Sequence, residues 1–507
     1  MAFNASGRAQ RYRDGMADAS NQRIDADTRG VESLARQVRD AVIWRSGSQI
    51  LAQMVQWAAT FLVIRILTPD DYGLFAMTGV VMAFANMLNG YGLASGLVQR
   101  EHVSTRDIRQ LFGMLILLNA GLAIAQAALA PLAAAYYRQP MVTDLLRVQA
   151  LMYLTTPFIA LPYALLSRQM DFRRQAKVNM IAATAAAATA LAGALAGLGV
   201  WTLVAAPFVL FAARAIGMTI AARALVWPSF DFRGAGGLAR FGGLMAAGQL
   251  FWFLQSQTDV FIAGRWFTPH MLGIYTTSLF LTQIFVSKFV PPLNEVAFSA
   301  YARIQTDPDA RAAAFTKAVR IVMLAALPFY LGLAATAEPV VLAMLGDKWR
   351  AAVPVVRVLA LAMPFMTLLV LYAPACDASG RPEIAMRNGA IGAAILTIAF
   401  LIGVRWGAPG IAMAWLAAYP VYLAVASSRA LPVIGVSAGD VAASVARPLF
   451  AAAAMALAVT LLDRALPPLP PVTRLATLVM VGGATYAAML AAIARSLLGE
   501  VTALLRR

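Results

Sequence analysis

The sequence predicts an all-α integral membrane protein of about 14 transmembrane helices, arranged as two six-helix lobes in parallel repeat plus a C-terminal helix pair. Three observations predict it. The chain of 507 residues is 61% hydrophobic and 13% charged. Its apolar residues gather in runs of about 20 divided by short polar breaks, the length a helix needs to cross a bilayer core. A phrase then occurs twice, 200 positions apart: Arg65-Ile66-Leu67-Thr68-Pro69-Asp70-Asp71-Tyr72-Gly73-Leu74-Phe75 returns as Arg265-Trp266-Phe267-Thr268-Pro269-His270-Met271-Leu272-Gly273-Ile274-Tyr275. Each copy ends one apolar run and begins the next, and Arg147-Val148-Gln149-Ala150-Leu151 returns as Arg357-Val358-Leu359-Ala360-Leu361, as expected of an internal repeat of membrane helices. Finally, the basic residues fall on alternate breaks. Counting tails and span edges, 29 Lys or Arg lie on the side of the N-terminus and 10 on the other, with Arg214 and Lys288 inside the membrane, which accounts for all 41. The positive-inside rule then places both termini in the cytoplasm.

Residues 1–40 are polar and rich in Arg and Asp, with no apolar core ahead of a small-residue cleavage site, so they read as a cytoplasmic tail and not a cleaved signal peptide. The N-lobe, 41–222, holds spans near 42–66, 72–98, 110–135, 145–166, 178–198 and 200–222. Residues 223–239 form a cytoplasmic linker, and the C-lobe, 240–428, holds spans near 240–264, 272–300, 318–345, 352–375, 386–404 and 409–427. An even number of spans per lobe gives both copies one orientation and a repeat axis along the membrane normal. Residues 429–507 add spans near 442–462 and 474–496 and a short cytoplasmic tail, and Pro467, Pro468, Pro470 and Pro471 make the connection between them stiff. Gly193 and Gly197 form a small-xxx-small pair for close packing in span 5, while Trp201, Trp266, Trp349 and Tyr372 near span ends read as an aromatic belt. No loop is long enough for a folded domain outside the membrane.

The excess of basic residues is accounted for by topology and by attraction to anionic lipids, which argues against nucleic acid as a partner. A single cysteine, Cys376, excludes an internal disulfide, and two histidines, His102 and His270, leave little for a metal cluster, so no metal and no cofactor is expected.

Charges within hydrocarbon cost about 2.5–3.5 kcal/mol each on insertion scales, so the few present need a reason. Lys288 lies near the middle of span 8, roughly 20 Å from either end, beyond easy snorkelling, and should face protein or water. Pro291 and Pro292 follow at once and should bend the helix beside it. Glu295, seven residues on and on the same face, admits either a structural Lys–Glu arrangement or a role in ion coupling. Arg45, Gln49, Gln53 and Gln56 form one stripe on span 1, and Gln249, Ser256 and Asp259 form a comparable line on span 7 with Gln255 and Gln257 beside it. A shared cavity between the lobes is the economical destination for both stripes. Interhelical glue for the glutamines and snorkelling for Arg45 are the alternatives. Arg214 in span 6 is a further cationic candidate. Asp259 and Glu338, toward the outer half of spans 7 and 9, either exchange a proton or cation or pair with an arginine such as Arg265. Arg65 and Arg265 read as interfacial anchors.

The paired Arg-x-Φ-Thr-Pro-x-x-Φ-Gly-Φ-aromatic turns, the run Asp259-Val260-Phe261-Ile262-Ala263-Gly264-Arg265, the turn Gly346-Asp347-Lys348-Trp349 with Pro354 after it, and Gly380-Arg381-Pro382 together resemble the polysaccharide-transporter branch of the multidrug/oligosaccharidyl-lipid/polysaccharide superfamily, the Wzx-type flippases. The similarity runs over about residues 40–430. It implies a V-shaped transporter that opens alternately to each side of the bacterial inner membrane and carries oligosaccharide repeat units on undecaprenyl pyrophosphate toward the periplasm for exopolysaccharide, capsule or O-antigen synthesis. On that reading Lys288, Arg45 and Arg214 meet the pyrophosphate, and Gln49, Gln53, Gln56, Gln249 and Ser256 meet the sugars. Asp259, Glu295 and Glu338 are the candidates for H+ or Na+ coupling. Membrane lipids and the polymerase of the same pathway are the other expected partners. Span 2 carries Asn86 and Asn89 where lipid II flippases have an arginine, which weakens the case for lipid II itself.

A cation-coupled drug exporter of the same superfamily is the nearest alternative. It would expose acidic residues in a lobe cavity, whereas the deepest charge here is a lysine. A polysaccharide polymerase or ligase is the alternative of another class and would need a large outer loop with catalytic Arg or His. A transporter, not an enzyme, is therefore expected.

Overall fold

In the computed structural model, residues 53–54, 56–89, 93–94, 97, 103–233 and 253–493 are described, and the secondary structure among them is helical throughout. Among the described residues, nine helical stretches are long and apolar enough to cross a membrane, which makes this a multi-pass membrane protein.

The repeated Thr-Pro phrase has a local physical meaning. Helix α1 (Gln56–Ile66) ends just before Thr68, which caps α2 (Pro69–Met87). The Thr68 hydroxyl accepts from Asp71 N, and the Asp71 carboxylate takes Thr68 N–H in return. Threonine satisfies an orphan donor and proline at the first helical position sacrifices none, so Thr-Pro is a helix start written in two letters. The rest of the first repeat follows as α3 (Thr105–Tyr137), α4 (Met141–Ala150), a 3-10 turn (Leu151–Thr155), α5 (Pro157–Arg168), α6 (Phe172–Leu195) and α7 (Val200–Ala222). Span 4 is thus two helices joined by a tight turn and not one. Pro157 begins the second, and the turn is held by Tyr153, whose hydroxyl donates to Gln126 Oε1 at 3.0 Å while Gln126 Nε2 donates to Leu146 O at 2.8 Å. Gly193 packs closely on the Thr202 side chain, but Gly197 lies beyond the end of α6 in the left-handed region (φ 72°), so it is a turn residue and not half of a packing pair.

Residues 224–233, the described part of the linker, lie along the start of α3, where Ser229 N donates to Arg109 O at 2.8 Å and Arg106 pairs with Asp231 at 3.2 Å. The second repeat resumes as α8 (residues 253–266), and Thr268 caps α9 (Pro269–Lys288) through Met271 N. Phe289 interrupts the helix before α10 (Val290–Arg303), so the break falls beside Lys288 as Pro291 and Pro292 require. Next come α11 (Pro308–Ala335), α12 (Ala337–Met344), a 3-10 turn (Asp347–Ala352), α13 (Val353–Val370), α14 (Tyr372–Ala378), α15 (Pro382–Gly403) and α16 (Gly407–Ile434). The appended pair is α17 (Ala438–Ala465) and α18 (Pro471–Ile493), with α17 packed along α11.

The largest buried cluster lies mostly in the second repeat, among Tyr275, Phe315, Tyr330, Trp349 and Phe400, and continues across the seam to Ile64, Met77 and Tyr137 of the first. Trp349 and Tyr372 belong to the interior and not to an aromatic belt. The Trp349 indole donates to Ile64 O at 3.0 Å, and the Tyr372 hydroxyl pairs with Ser427 at 2.8 Å, so each ring's polar atom is satisfied inside the protein. Trp266, 64% exposed, keeps a surface position.

Glu338 sits between Arg350 and Arg474, each at 3.4 Å, and Arg474 also grips Asp463 at 2.6 Å. This network ties the tip of α17 and the start of α18 to α12. Arg474→Ala should therefore lower the stability of the purified protein by about 1 kcal/mol, because the pair is bidentate but partly hydrated. An unchanged thermal midpoint in detergent would refute that role.

Candidate functional site: a reciprocal seal over a cavity

The two copies of the phrase meet. Helices α2 and α9 cross so closely that a Cβ on Gly73 would lie 1.8 Å from Pro269 O, and one on Gly273 would lie 1.8 Å from Pro69 O. Each glycine is required by the proline of the other repeat, because only a residue without Cβ lets the two backbones approach to this distance. The contact relates 73 to 269 and 273 to 69, which is what a two-fold pseudo-axis through the crossing produces. His270 Nδ1 stands 2.9 Å from Asp70 Oδ2, again linking equivalent positions.

The arginines that open the phrase do more than anchor at an interface. Arg65 donates to Ala343 O at 3.0 Å across the seam, and Arg265 donates to Tyr136 O at 2.7 Å in the opposite direction. Each repeat thus hooks a carbonyl of the other. Lys348 donates to Ile66 O at 2.9 Å, and Tyr72 packs edge-on against Trp349 with ring centroids 5.6 Å apart. Carbonyls at the end of α1 have no intrahelical partner, so donors supplied by the second repeat satisfy groups that the helix leaves open. Replacing Trp349 by Phe removes one such donor and should cost about 1 kcal/mol of this closed arrangement. Faster solvent labelling of seam residues would report the loss.

Beneath the crossing lies a cavity of about 400 Å³. Its walls come from both repeats: Gln56 and Thr60 of α1, Tyr72 of α2, an alanine face of α6, Thr202 of α7, and Thr276, Thr277 and Phe280 of α9. None of the described residues lining it is charged. Gln56 therefore faces the same space as residues of the second repeat. Gln53 is half-buried one turn away on the same stripe, and Arg45, Gln49 and Gln249 lie outside the described residues.

Lys288 is exposed and follows Thr277 by eleven residues, which at 100° per residue returns it to the cavity-lining face of α9, about 16 Å further down. It makes no ion pair with Glu295, which is exposed on α10 beyond the break at Phe289. The structural Lys–Glu alternative is not realised in this arrangement. Arg214 is half-buried on α7. Ser256 is half-buried and bonds within α8 to Phe253 O, while its neighbour Gln255 reaches Gly389 O at 2.7 Å, binding α8 to α15. Asp259 is fully buried and pairs with no arginine. It accepts from the Tyr275 hydroxyl, which itself accepts from the Trp415 indole at 2.8 Å, and the Trp415 ring stacks on Tyr419. Asp259 is thus held inside the second repeat through one oxygen by the Tyr275 hydroxyl, and its other oxygen, Oδ1, is buried without a hydrogen-bond partner.

Among the described residues no cluster of His, Cys, Asp and Glu is arranged to hold a metal ion. Pseudo-symmetric helical halves joined at one end over a cavity form the frame of this multi-pass membrane protein. The fold matches a lipid II flippase, MurJ, solved in an inward closed conformation, with a TM-score of 0.74 at 11% identity over 90% of this chain and all of that one. It also matches a multidrug resistance MATE family transporter in an inward-facing conformation, with a TM-score of 0.57 at 14% identity over 78% of this chain and all of that one. Residues 62–354, more than half of the chain, match the family described as polysaccharide biosynthesis protein, and the chain belongs to that family.

Its relatives include the succinoglycan biosynthesis transport protein ExoT of Rhizobium meliloti (strain 1021), 27% identical over 70% of this chain and 72% of the relative. The teichuronic acid biosynthesis protein TuaB of Bacillus subtilis (strain 168) is 23% identical over 70% and 74%. The lipopolysaccharide biosynthesis protein WzxC of Escherichia coli (strain K12) is 23% identical over 58% and 60%. The family read from the Thr-Pro turns and the Gly346–Trp349 turn is upheld.

Proposed function

We propose that this protein is a flippase that moves oligosaccharide repeat units, linked to undecaprenyl pyrophosphate, from the cytoplasmic to the periplasmic leaflet of the bacterial inner membrane, for exopolysaccharide, capsule or O-antigen synthesis. The observation that carries the proposal is the reciprocal Gly73/Gly273 seal standing over a cavity to which both repeats contribute. Membership of a polysaccharide biosynthesis family supplies the cargo class.

In this account the lobes are residues 41–222 and 240–428, both termini are cytoplasmic, and the Thr-Pro end is the periplasmic gate. Alternating access consists of breaking the α2–α9 crossing while the opposite end closes. Lys288, with Arg45 and Arg214, offers cations to the pyrophosphate, Lys288 standing about 16 Å from the uncharged lining under the seal. Gln53 and Gln56, with Gln49, Gln249 and Ser256, offer amide and hydroxyl groups to the sugars. The polyprenyl tail stays in lipid. Asp259 is the residue proposed to couple H+ or Na+, because its carboxylate is fully buried with no ion pair, one oxygen taken by the Tyr275 hydroxyl and the other, Oδ1, left without a hydrogen-bond partner. Glu338, engaged by two arginines, and Glu295, exposed, take secondary places as coupling candidates. The polymerase of the same pathway is the proposed downstream partner.

Deleting the protein from its own cell should leave a lipid-linked repeat unit on the inner leaflet and abolish the polymer, and Asp259→Asn should lower export several-fold while weakening its dependence on an ion gradient. Normal polymer in the deletion strain, together with new sensitivity to cationic dyes, would overturn the reading in favour of a drug exporter.

A further inference from the structure

We propose that residues 223–233, between the two repeats, form a strap that binds the bilayer surface. Leu225, Trp227 and Phe230 enter the boundary between headgroups and acyl chains, and Arg223 and Arg233 hold anionic headgroups. The inference goes beyond the cargo proposed above and takes from it only the name of the leaflet, the cytoplasmic one. The strap is built onto the first repeat and is not slack chain. Gln110, buried in α3, spends its amide on two strap carbonyls, Asp231 O at 2.6 Å and Arg233 O at 3.2 Å. Arg109 Nε donates to Trp227 O at 3.0 Å, and Gly113 lets the strap lie on the helix, since a Cβ there would stand 2.2 Å from Ser229 O.

Its depth follows from two helices that meet the seal. Gly199 abuts Asp71 and Tyr136 O accepts from Arg265, so α7 begins and α3 ends beside the Thr-Pro turns. From there α7 runs 23 residues to Ala222, and α3 needs about as many from Tyr137 back to Gly113. At 1.5 Å per residue each path covers roughly 35 Å, a little more than the ~30 Å of hydrocarbon. The strap therefore crosses the bundle where both helices leave the acyl chains. Arg223, in the left-handed region at φ 49°, ends α7 and turns the chain across the lobe at that level. Its side is set by α3. Arg106, Gln110 and Gly113, which meet the strap, share a sector of roughly 60° with Leu117 and Ile124 at 100° per residue. Those two are exposed apolar residues, and none of the described cavity lining comes from α3, so this is the helix face turned to lipid.

The outward residues match that place. Ala224 is buried and Val226 packs on the cluster that holds Leu111 and Phe112, while the residues alternating with them, Leu225 and Trp227, are 85% and 84% exposed. Water disfavours two large apolar side chains held outward, whereas the headgroup boundary is where tryptophan collects. Phe230 is exposed beside them. Arg106, Arg109, Arg223 and Arg233 border the patch, against two carboxylates: Asp231, which pairs with Arg106 at 3.2 Å, and Asp107, which caps Ser104. The surplus is cationic, and Arg233 keeps its side chain 92% exposed, so the rim selects an anionic leaflet.

The test uses the full chain in lipid nanodiscs with a fluorophore on one added cysteine, the natural Cys376 being buried. Leu225→Cys and Trp227→Cys each leave the other apolar residue in place, and Asp309→Cys, at the exposed start of α11, is the reference. Nitroxide lipids labelled near the headgroup should quench the probe at 225 or 227 several-fold more than at 309, and aqueous iodide several-fold less. At equal mole fraction, nitroxide-labelled phosphatidylglycerol should be enriched at the probe about fivefold over labelled phosphatidylcholine. Arg233→Gln should lower that preference, and Arg223→Gln/Arg233→Gln should bring it near one with the depth of the probe unchanged. Iodide quenching as strong as at 309 would place the patch in water and overturn the strap. Shielding from both iodide and nitroxide lipids would mean that protein covers it, and overturns the strap equally. Equal quenching by the two lipids, or a preference that the double variant leaves intact, overturns the arginine–headgroup contact. No probe carries a glycan, so each of these outcomes leaves the cargo reading where it stood.

Discussion

A valine at Gly73 or Gly273 should hold the proposed periplasmic gate open and abolish transport. The added side chain would begin 1.8 Å from a backbone carbonyl of the opposing helix, and a carbonyl cannot rotate aside as a flexible side chain can. Overpacking at such a contact costs about 1–3 kcal/mol, which shifts the closed-to-open ratio roughly 5- to 150-fold. A cysteine placed at Thr276 reports the shift, since the natural Cys376 is buried. It should be protected from an impermeant thiol reagent added outside in the parent protein and labelled rapidly with either valine present. The two valines should act alike because the contact is reciprocal. Unchanged protection, or an effect from one glycine alone, would show that the crossing is mere packing.

Lys288→Ala should abolish export while leaving the amount of protein in the membrane near normal, and Lys288→Arg should retain part of the activity. The first half follows from the exposure of Lys288 in this arrangement, where no ion pair within the described structure depends on it. The second follows from charge, since an arginine still binds phosphate oxygens but with a planar fork in place of a compact ammonium. A charged hydrogen bond contributes about 1.5–3 kcal/mol, so loss of the cation should weaken binding of polyprenyl pyrophosphate by one to two orders of magnitude. Loss of abundance in both variants would make Lys288 a folding residue.

The fold was legible because its rules are local and repeated. Runs of apolar residues mark helices, Thr68-Pro69 and Thr268-Pro269 mark helix starts, and Pro291-Pro292 marks the break beside Lys288. Contacts between distant segments were not. Nothing in Arg65 or Arg265 announces that each donates to a carbonyl of the other repeat, because a backbone oxygen has no sequence signature. Trp349 looks like a belt residue by its place near a span end, yet the carbonyl of Ile64, reachable only across the seam, draws its indole inside. Span 4 read as one helix because Leu151–Thr155 is apolar like its neighbours, and the turn depends on Gln126 and Tyr153, which chain distance separates. One available signal went unused: the glycine four residues after proline in both copies of the phrase. Identical small residues at equivalent places in a symmetric repeat are candidates for a contact on the symmetry axis, and that is where Gly73 and Gly273 lie.

The central claim is tested most directly by reconstituting the purified protein in proteoliposomes with undecaprenyl-pyrophosphoryl oligosaccharide on one leaflet and scoring transfer with an impermeant lectin or sugar-oxidising reagent. The account predicts transfer that requires Lys288 and is blocked by valine at Gly73 or Gly273. No transfer with or without an ion gradient, alongside gradient-driven movement of a small cationic dye that depends on Asp259, would contradict it.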